Sequence, residues 1–143
     1  MHRLTLLVVV LFTVIASCKK YEEGPGISLR TKKARFIGIW QLNKWTIDGT
    51  EQELSSITWS LSTYSSGNYE KTIQYNIPPL PTTTDIEQGT WEFDKKKENV
   101  LFLVSGNPGA IPQEIIKLKN RELWLRKTDN GITEEYQYKL SRF

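Results

Sequence analysis

The sequence has very few of the side chains that carry covalent or metal chemistry in proteins. It contains one cysteine, Cys18, and one histidine, His2, so the chain beyond residue 18 has neither a thiol nor an imidazole. This absence excludes Cys–His nucleophile pairs, Cys- and His-based zinc sites and disulfides from that part. No G-x-S-x-G elbow and no Gly-rich phosphate loop is present. We therefore expect a protein that is not an enzyme and has no cofactor and no metal; an enzyme based on carboxylates is the remote alternative.

Charge is also nearly balanced. The 19 basic and 16 acidic residues give a net charge of +3, and no basic stripe suggests nucleic acid as a partner. The only basic run, residues 95–97, is interpreted as a solvated turn rather than a binding patch. Long apolar runs are absent after residue 16, and the one at residues 4–16 is shorter than the roughly 20 residues that a membrane-spanning helix needs.

The N-terminal segment has the pattern of a secretory signal. Arg3 precedes the apolar run, which ends in Ile15-Ala16-Ser17-Cys18. This ending resembles the lipobox of bacterial lipoproteins. The resemblance implies cleavage before Cys18, a diacylglycerol thioether on its sulfur, and an acyl chain such as palmitate on its amine. The alternative is an ordinary secretory signal in which Cys18 is incidental.

The predicted organisation has three parts. Residues 1–17 form the signal peptide, residues 18–35 hold the lipidated Cys18, a tether and a short helical segment, and residues 36–143 form one β-domain. Lys19 follows the cysteine, and no Asp stands there to resemble an inner-membrane retention signal. We expect a lipid-anchored protein of the outer membrane in a Gram-negative envelope, on either its periplasmic or its cell-surface side.

Apolar residues in the β-domain alternate with a period of two, and no helical period is sustained. The pattern predicts an all-β, eight-stranded, antiparallel up-and-down barrel preceded by a short helical turn with Ser28 or Thr31 as its N-cap. The strands are predicted at residues 39–47, 57–64, 69–77, 89–94, 100–104, 111–119, 122–127 and 132–140. Thr50-x-x-Glu53 fits a capping box and predicts a helical turn in the first long link.

Successive links of such a meander alternate between the two ends of the barrel. The first, third and fifth links, at residues 48–56, 78–88 and 105–110, are longer than the second, fourth and sixth. Long loops gathered at one end are typical of a ligand mouth. A plain loop or a partner contact is the alternative for the proline-rich residues 78–81.

Gly38-Ile39-Trp40 opens the first predicted strand and matches the G-x-W signature of lipocalins. Together with residues 28–35, Gly89-Thr90-Trp91 and Leu123-Trp124-Leu125, it resembles the family of small lipocalin-like lipoproteins of Gram-negative bacteria. The resemblance marks Gly38 and Trp40 as the barrel signature. It also implies a cup for a small apolar molecule, and an arginine, Arg142 or Arg126, packed over Trp40.

Alternation along the strands assigns residues to the barrel interior. Those expected to line a ligand or to fill a solid core are Leu42, Trp59, Leu61, Ile73, Tyr75, Trp91, Phe93, Tyr136 and Tyr138. A bulge near Asn43-Lys44 would turn Trp45 to the same face as Trp40. Lys71, Glu114 and Glu134 share parity with apolar neighbours, so they either form the polar end of a pocket or reach solvent near strand ends.

Two functions follow from this reading. The first is a lipid-anchored, lipocalin-like protein that binds a small apolar or amphipathic ligand. The second is a structural or protein-interaction lipoprotein with a solid core and no ligand, in which residues 78–81 and an outward-facing Trp45 or Trp124 contact a protein partner.

Overall fold

The computed structural model describes residues 29–142, so the predicted signal peptide, Cys18 and most of the predicted tether lie outside the described residues. The elements are a helix, α1 (Lys32–Phe36), and the strands β1 (Gly38–Ile47), β2 (Thr50–Glu51), β3 (Ile57–Thr63), β4 (Asn68–Tyr75), β5 (Thr83–Phe93), β6 (Asn99–Val104), β7 (Ala110–Leu118), β8 (Glu122–Asp129) and β9 (Ile132–Arg142). Strands β1 and β3–β9 pair antiparallel in chain order, and β1 also pairs with β9. The predicted eight-stranded up-and-down barrel is therefore confirmed.

The short helix that the sequence predicts is present, and it closes one end of the barrel. Thr31 is its N-cap and accepts a hydrogen bond from the Ala34 backbone N–H at 3.1 Å. At its other end the Phe36 ring is fully buried, and the Phe36 carbonyl accepts from the Trp40 indole at 2.8 Å and from the Thr63 hydroxyl at 2.5 Å. We call this end, with the β3–β4, β5–β6 and β7–β8 links, the closed end, and the opposite end the mouth.

The first strand is bent as its sequence predicts. Its pairing with β9 shifts register between Leu42 and Lys44, so Asn43 is the extra residue of a bulge. After the bulge, Trp45 faces the interior against Trp59 and Tyr136. The prediction of a bulge is confirmed, and the alternative of an outward-facing Trp45 is wrong.

Other details of the predicted elements are wrong. Residues 50–51 form β2, which pairs with the end of β1, so the capping box starts no helix. Strand β5 begins at Thr83, six residues before the predicted start at Gly89, because Thr83–Gln88 pairs with β4 although it lacks apolar alternation. A second bulge in β7, between Ile115 and Lys117, reverses the predicted parity of this strand; Glu114 therefore faces outward to Arg126 at 3.4 Å, in agreement with the alternative that it reaches solvent.

The core lies in the closed half of the barrel. Phe36, Trp40, Leu118, Leu123 and Leu125 are all fully buried there. The Phe36 ring lies 4.7 Å from Trp91 and 5.5 Å from Phe93 between ring centroids. Because the helix, the whole sheet and this core lie within residues 32–142, a chain that begins at residue 29 contains everything that the fold needs.

Candidate functional site

A cavity of about 320 Å³ lies in the mouth half of the barrel. Strand β6 ends opposite Gly89, and beyond the hydrogen bond from the Ser105 N–H to the Gln88 carbonyl the first residues of β5, 83–87, pair with β4 alone and leave a gap in the barrel wall. The outward-facing Ile86 is 60% exposed and still borders the cavity, which therefore reaches the surface at this gap. The lining residues are Trp59, Lys71, Ile73, Asp85, Ile86, Glu87, Phe102, Ile111, Gln113, Lys127 and Tyr136.

One wall of the cavity is aromatic. Trp59 and Tyr136 lie 5.3 Å apart between ring centroids, and Trp45 packs behind both at 5.8 Å and 6.4 Å. The Trp45 and Trp59 indole N–H groups are buried and have no hydrogen-bond acceptor among the described residues. A buried donor without an acceptor costs about 1–3 kcal/mol, so the packing of this aromatic wall has to offset that cost.

The facing wall carries a charge pair that the fold holds in place. Lys71 Nζ lies 2.8 Å from Glu87 Oε1, which also accepts a hydrogen bond from the Tyr69 hydroxyl at 3.0 Å. Burial raises the pKa of Glu87, but the hydrogen bond and charge of Lys71 and the hydrogen bond from Tyr69 outweigh this effect and hold the pKa below its usual value. Glu87 is therefore a carboxylate at neutral pH, and the pair adds no net charge to the cavity.

A second cation, Lys127, lies on the wall near the mouth. Its Nζ is 4.0 Å from both Asp129 Oδ2 and Glu134 Oε2, which is beyond hydrogen-bond distance. Glu134 instead accepts the Tyr136 hydroxyl at 2.8 Å. Burial and this hydrogen bond raise the pKa of Tyr136, so it stays a protonated donor. Lys127 thus keeps donors available to a bound molecule.

The sequence-predicted residues separate into three places. The cavity wall contains Trp59, Ile73 and Tyr136. The buried core contains Leu42, Leu61, Trp91 and Tyr138, with Phe93 packed against it. Tyr75 lies outside both, in an apolar groove with Ile77, Leu80, Pro81 and Thr83. The set is thus divided between the cavity wall, the buried core and the groove, and ligand lining stays a prediction for the first group.

The signature residues lie at the closed end, and one of the two arginines expected over Trp40 lies elsewhere. Gly38 and Trp40 are buried at the start of β1. Arg126 does not cover Trp40, because it faces outward and pairs with Glu114 and Glu135. The Arg142 side chain lies outside the part of the chain that is described. Among the described side chains at this end, Arg35 of the helix is a buried arginine, and its guanidinium donates to the Leu118 carbonyl at 2.7 Å.

Several cavity residues were missed by sequence reasoning. Lys127 has the parity of Leu123 and Leu125, so alternation along β8 could have found it. Asp85 and Glu87 were missed because their segment was interpreted as a loop. Gln113 was hidden by the bulge in β7, which reverses the parity of the residues before it.

The described residues, 29–142, contain no group of three or more His, Cys, Asp or Glu side chains that could hold a metal ion. Within the same range, no helix combines the length and apolarity needed to cross a bilayer.

No protein-family model matches the sequence, and no curated protein matches it. Among solved structures, the chain is similar to a crystal structure of a mutant of the fluorescent protein UnaG. The two share 15% sequence identity over 75% of this chain and 96% of that chain, with a TM-score of 0.40. The assignment of a closed, eight-stranded antiparallel barrel rests on the strand pairing described above.

Proposed function

We propose that this protein binds a small amphipathic molecule in the mouth cavity and does so without catalysis. The observation that carries the proposal is a 320 Å³ space with an aromatic wall on one side and Lys71, Glu87 and Lys127 on the other. Ligand pockets of proteins combine a mostly apolar lining with a few fixed polar groups, and they begin at about 300 Å³. The cavity is at the small end of this range, so it suits a compact ring system rather than a long chain.

The lining suggests how such a ligand would lie. A flat apolar part would pack on Trp59 and Tyr136, because aromatic rings offer large rigid contact areas. An oxygen on the ligand would accept a hydrogen bond from Lys127. The gap beside β5 would provide the route of entry.

Titration with two fluorescent probes tests this proposal on the chain that begins at residue 29. N-phenylnaphthylamine is neutral, and anilinonaphthalene sulfonate is a related anion; both brighten when they leave water for an apolar site. We expect saturable binding of at least one probe, with displacement by an extract of bacterial lipids. Failure of both probes and of the extract to bind the folded protein would reject the proposal.

Filling the cavity provides a sharper test than deleting its wall. Ile73→Trp places a larger side chain in the cavity, and we expect probe affinity to fall at least about tenfold, which corresponds to about 1.4 kcal/mol. The matched control is Ile132→Trp, because Ile132 is 51% exposed in the β8–β9 turn and does not line the cavity. Equal weakening in both variants would place the probe elsewhere.

We also propose that the barrel is attached to the outer membrane through Cys18. The support is the Ile15-Ala16-Ser17-Cys18 sequence and the apolar run before it. Mass spectrometry of the protein from Gram-negative cells should find a chain that starts at an acylated Cys18, and Cys18→Ser should abolish the acylation. Fractionation of the two membranes should place the wild type in the outer one, and an unacylated mature chain would refute the anchor.

A second candidate function is contact with a protein partner at the mouth. Leu80 is 64% exposed and Ile77 50% exposed, and together with Tyr75 and Pro81 they border a groove of about 280 Å³. Crosslinking in cells from Thr82, next to this groove, distinguishes this candidate from the first. A stoichiometric crosslinked protein would favour it, whereas a lack of any crosslink together with probe binding would favour the cavity.

A further inference from the structure

The exposed cations of the barrel are concentrated at its closed end. Lys95, Lys96 and Lys97 occupy the β5–β6 link, Lys119 and Arg121 the β7–β8 link, and Lys33 the helix. Lys119 is half-buried and the other five are exposed. Among the residues that the structure describes, none of the six has an ion-pair partner or a side-chain hydrogen bond. These links are far apart in the sequence, and the alternation of the meander brings them to one end. We call this set the basic end.

The mouth half has the opposite character. Its cations, Lys44, Lys71, Arg126 and Lys127, all have carboxylate partners within 4.0 Å. Exposed carboxylates that border the mouth include Asp48, Glu51, Glu53, Asp85 and Asp129. Within the β5–β6 link, the negative charges are those of Glu98 and the half-buried Asp94. The Asp94 carboxylate already accepts a hydrogen bond from the Asn99 side-chain amide at 2.8 Å. The barrel therefore has a positive closed end and a negative mouth.

Two apolar groups accompany the basic end. Tyr64 in the β3–β4 link is 47% exposed, and Leu29, three residues before the helix, is fully exposed. Cationic side chains beside an exposed aromatic and an exposed aliphatic residue are a typical combination at membrane interfaces. The chain N-terminal to Leu29 also joins the barrel at this end, and Cys18 lies eleven residues earlier in the sequence. Fully extended, these residues span about 36–40 Å.

We propose that the basic end binds an anionic lipid surface, with the phosphates of lipid headgroups as its ligands and Tyr64 and Leu29 in contact with the interface. In this orientation the cavity mouth faces away from the bilayer. The attraction is independent of the anchor, although an anchor at Cys18 would keep the basic end close to the membrane. A soluble polyanion offers the same phosphate chemistry, but it gives no role to the apolar groups.

Vesicle sedimentation with the chain that begins at residue 29 tests the proposal without the anchor. Vesicles of phosphatidylcholine alone should bind little protein, and vesicles of equal parts phosphatidylglycerol and phosphatidylcholine should bind it strongly. Because the Debye length falls from about 8 Å at physiological salt to about 3 Å at 1 M, binding should be lost at the higher salt. Equal binding to both vesicle types, or to neither, overturns the proposal.

Matched charge removals locate the binding surface. Each cation near an anionic lipid surface strengthens binding roughly fivefold, so Lys95→Gln with Lys96→Gln should weaken it about thirtyfold. The control is Lys44→Gln with Arg126→Gln, which removes the same charge from the mouth half and should weaken binding less than about threefold. Equal losses in both double variants would show that net charge alone drives the association and would overturn the site.

Two further measurements separate lipid from other polyanions and report the orientation. Tyr64→Ser should weaken vesicle binding while leaving binding to inorganic polyphosphate unchanged. Strong polyphosphate binding without vesicle binding would overturn the lipid assignment.

Since the chain beyond residue 18 lacks cysteine, polarity-sensitive labels can be attached through Ser65→Cys at the closed end and Thr82→Cys at the mouth. The label at residue 65 should shift to the blue on anionic vesicles, and a shift confined to residue 82 would overturn the orientation.

Discussion

Gly89 is the position where a single added carbon should disturb this barrel most clearly. It pairs with Val104 at the point where β5 loses β6 as a neighbour, beside the gap that opens the cavity. A Cβ atom on Gly89 would lie 1.9 Å from the Leu103 carbonyl oxygen and 2.9 Å from the Tyr69 ring. The perturbation Gly89→Ala therefore forces either a backbone or a buried ring to move.

The cost follows from the distances. Cβ atoms in proteins essentially never approach another atom closer than 3.0 Å, so the two backbones must separate by more than 1 Å. Such a displacement would break the 2.8 Å hydrogen bond from the Ser105 N–H to the Gln88 carbonyl, which costs about 1 kcal/mol. Overpacking adds about 1–3 kcal/mol. We expect a total loss of about 3 kcal/mol, which lowers the melting temperature by roughly 10–15 °C for a domain of this size.

Thermal unfolding followed by circular dichroism provides the assay, with Gly109→Ala as the control. A Cβ at Gly109 meets only the Asn107 side chain, at an ordinary 3.5 Å, so its melting temperature should stay within about 2 °C of the wild type. If Gly89→Ala melts as close to the wild type as this control does, the close packing of β5 on β6 would be refuted, and with it the geometry of the gap.

Two other substitutions test the polar contacts. Because the pKa of Glu87 is lowered on folding, its ion pair stabilises the protein above the unfolded pKa, and this stabilisation is lost as the pH falls through the folded pKa. Glu87→Gln should remove that dependence, so the difference in melting temperature between wild type and variant should shrink below about pH 4. A difference that stays constant across pH would argue against the ion pair. Trp40→Phe removes the 2.8 Å hydrogen bond to the Phe36 carbonyl and leaves space where the indole was. Denaturant unfolding should therefore show that the free energy of unfolding falls by about 2–3 kcal/mol. A fall below about 0.5 kcal/mol would show that the helix does not depend on this hydrogen bond.

Much of the barrel could be predicted because the strands are short, alternating and separated by turn residues. The bulge that returns Trp45 to the interior is visible in the sequence because two apolar pairs of opposite parity lie on one strand. The bulge in β7 is not, because Ile115 and Ile116 are adjacent and either could face inward. Only the register with β8, which pairs Ile115 with Leu125 and Leu118 with Leu123, decides the parity.

The candidate site was predictable in its aromatic part and not in its polar part. Trp59 and Tyr136 stand out because bulky residues alternate with polar ones. The carboxylate of Glu87 lies in a segment with no apolar alternation, and its place opposite Lys71 depends on the pairing of β4 with β5. A sequence pattern reports which residues avoid water, whereas a charge inside a barrel is tolerated only when another strand supplies its partner.

The sequence by itself determined the all-β class, the number of barrel strands, the presence of a short helix before them and the absence of thiol and imidazole chemistry from the domain. These features depend on local side-chain types and on a period of two. The tertiary structure decided the length of β5, the open gap beside it, the ion pair in the cavity and the gathering of unpaired cations at one end. Those features depend on which distant strands and links become neighbours when β1 meets β9, and local alternation carries no information about that closure.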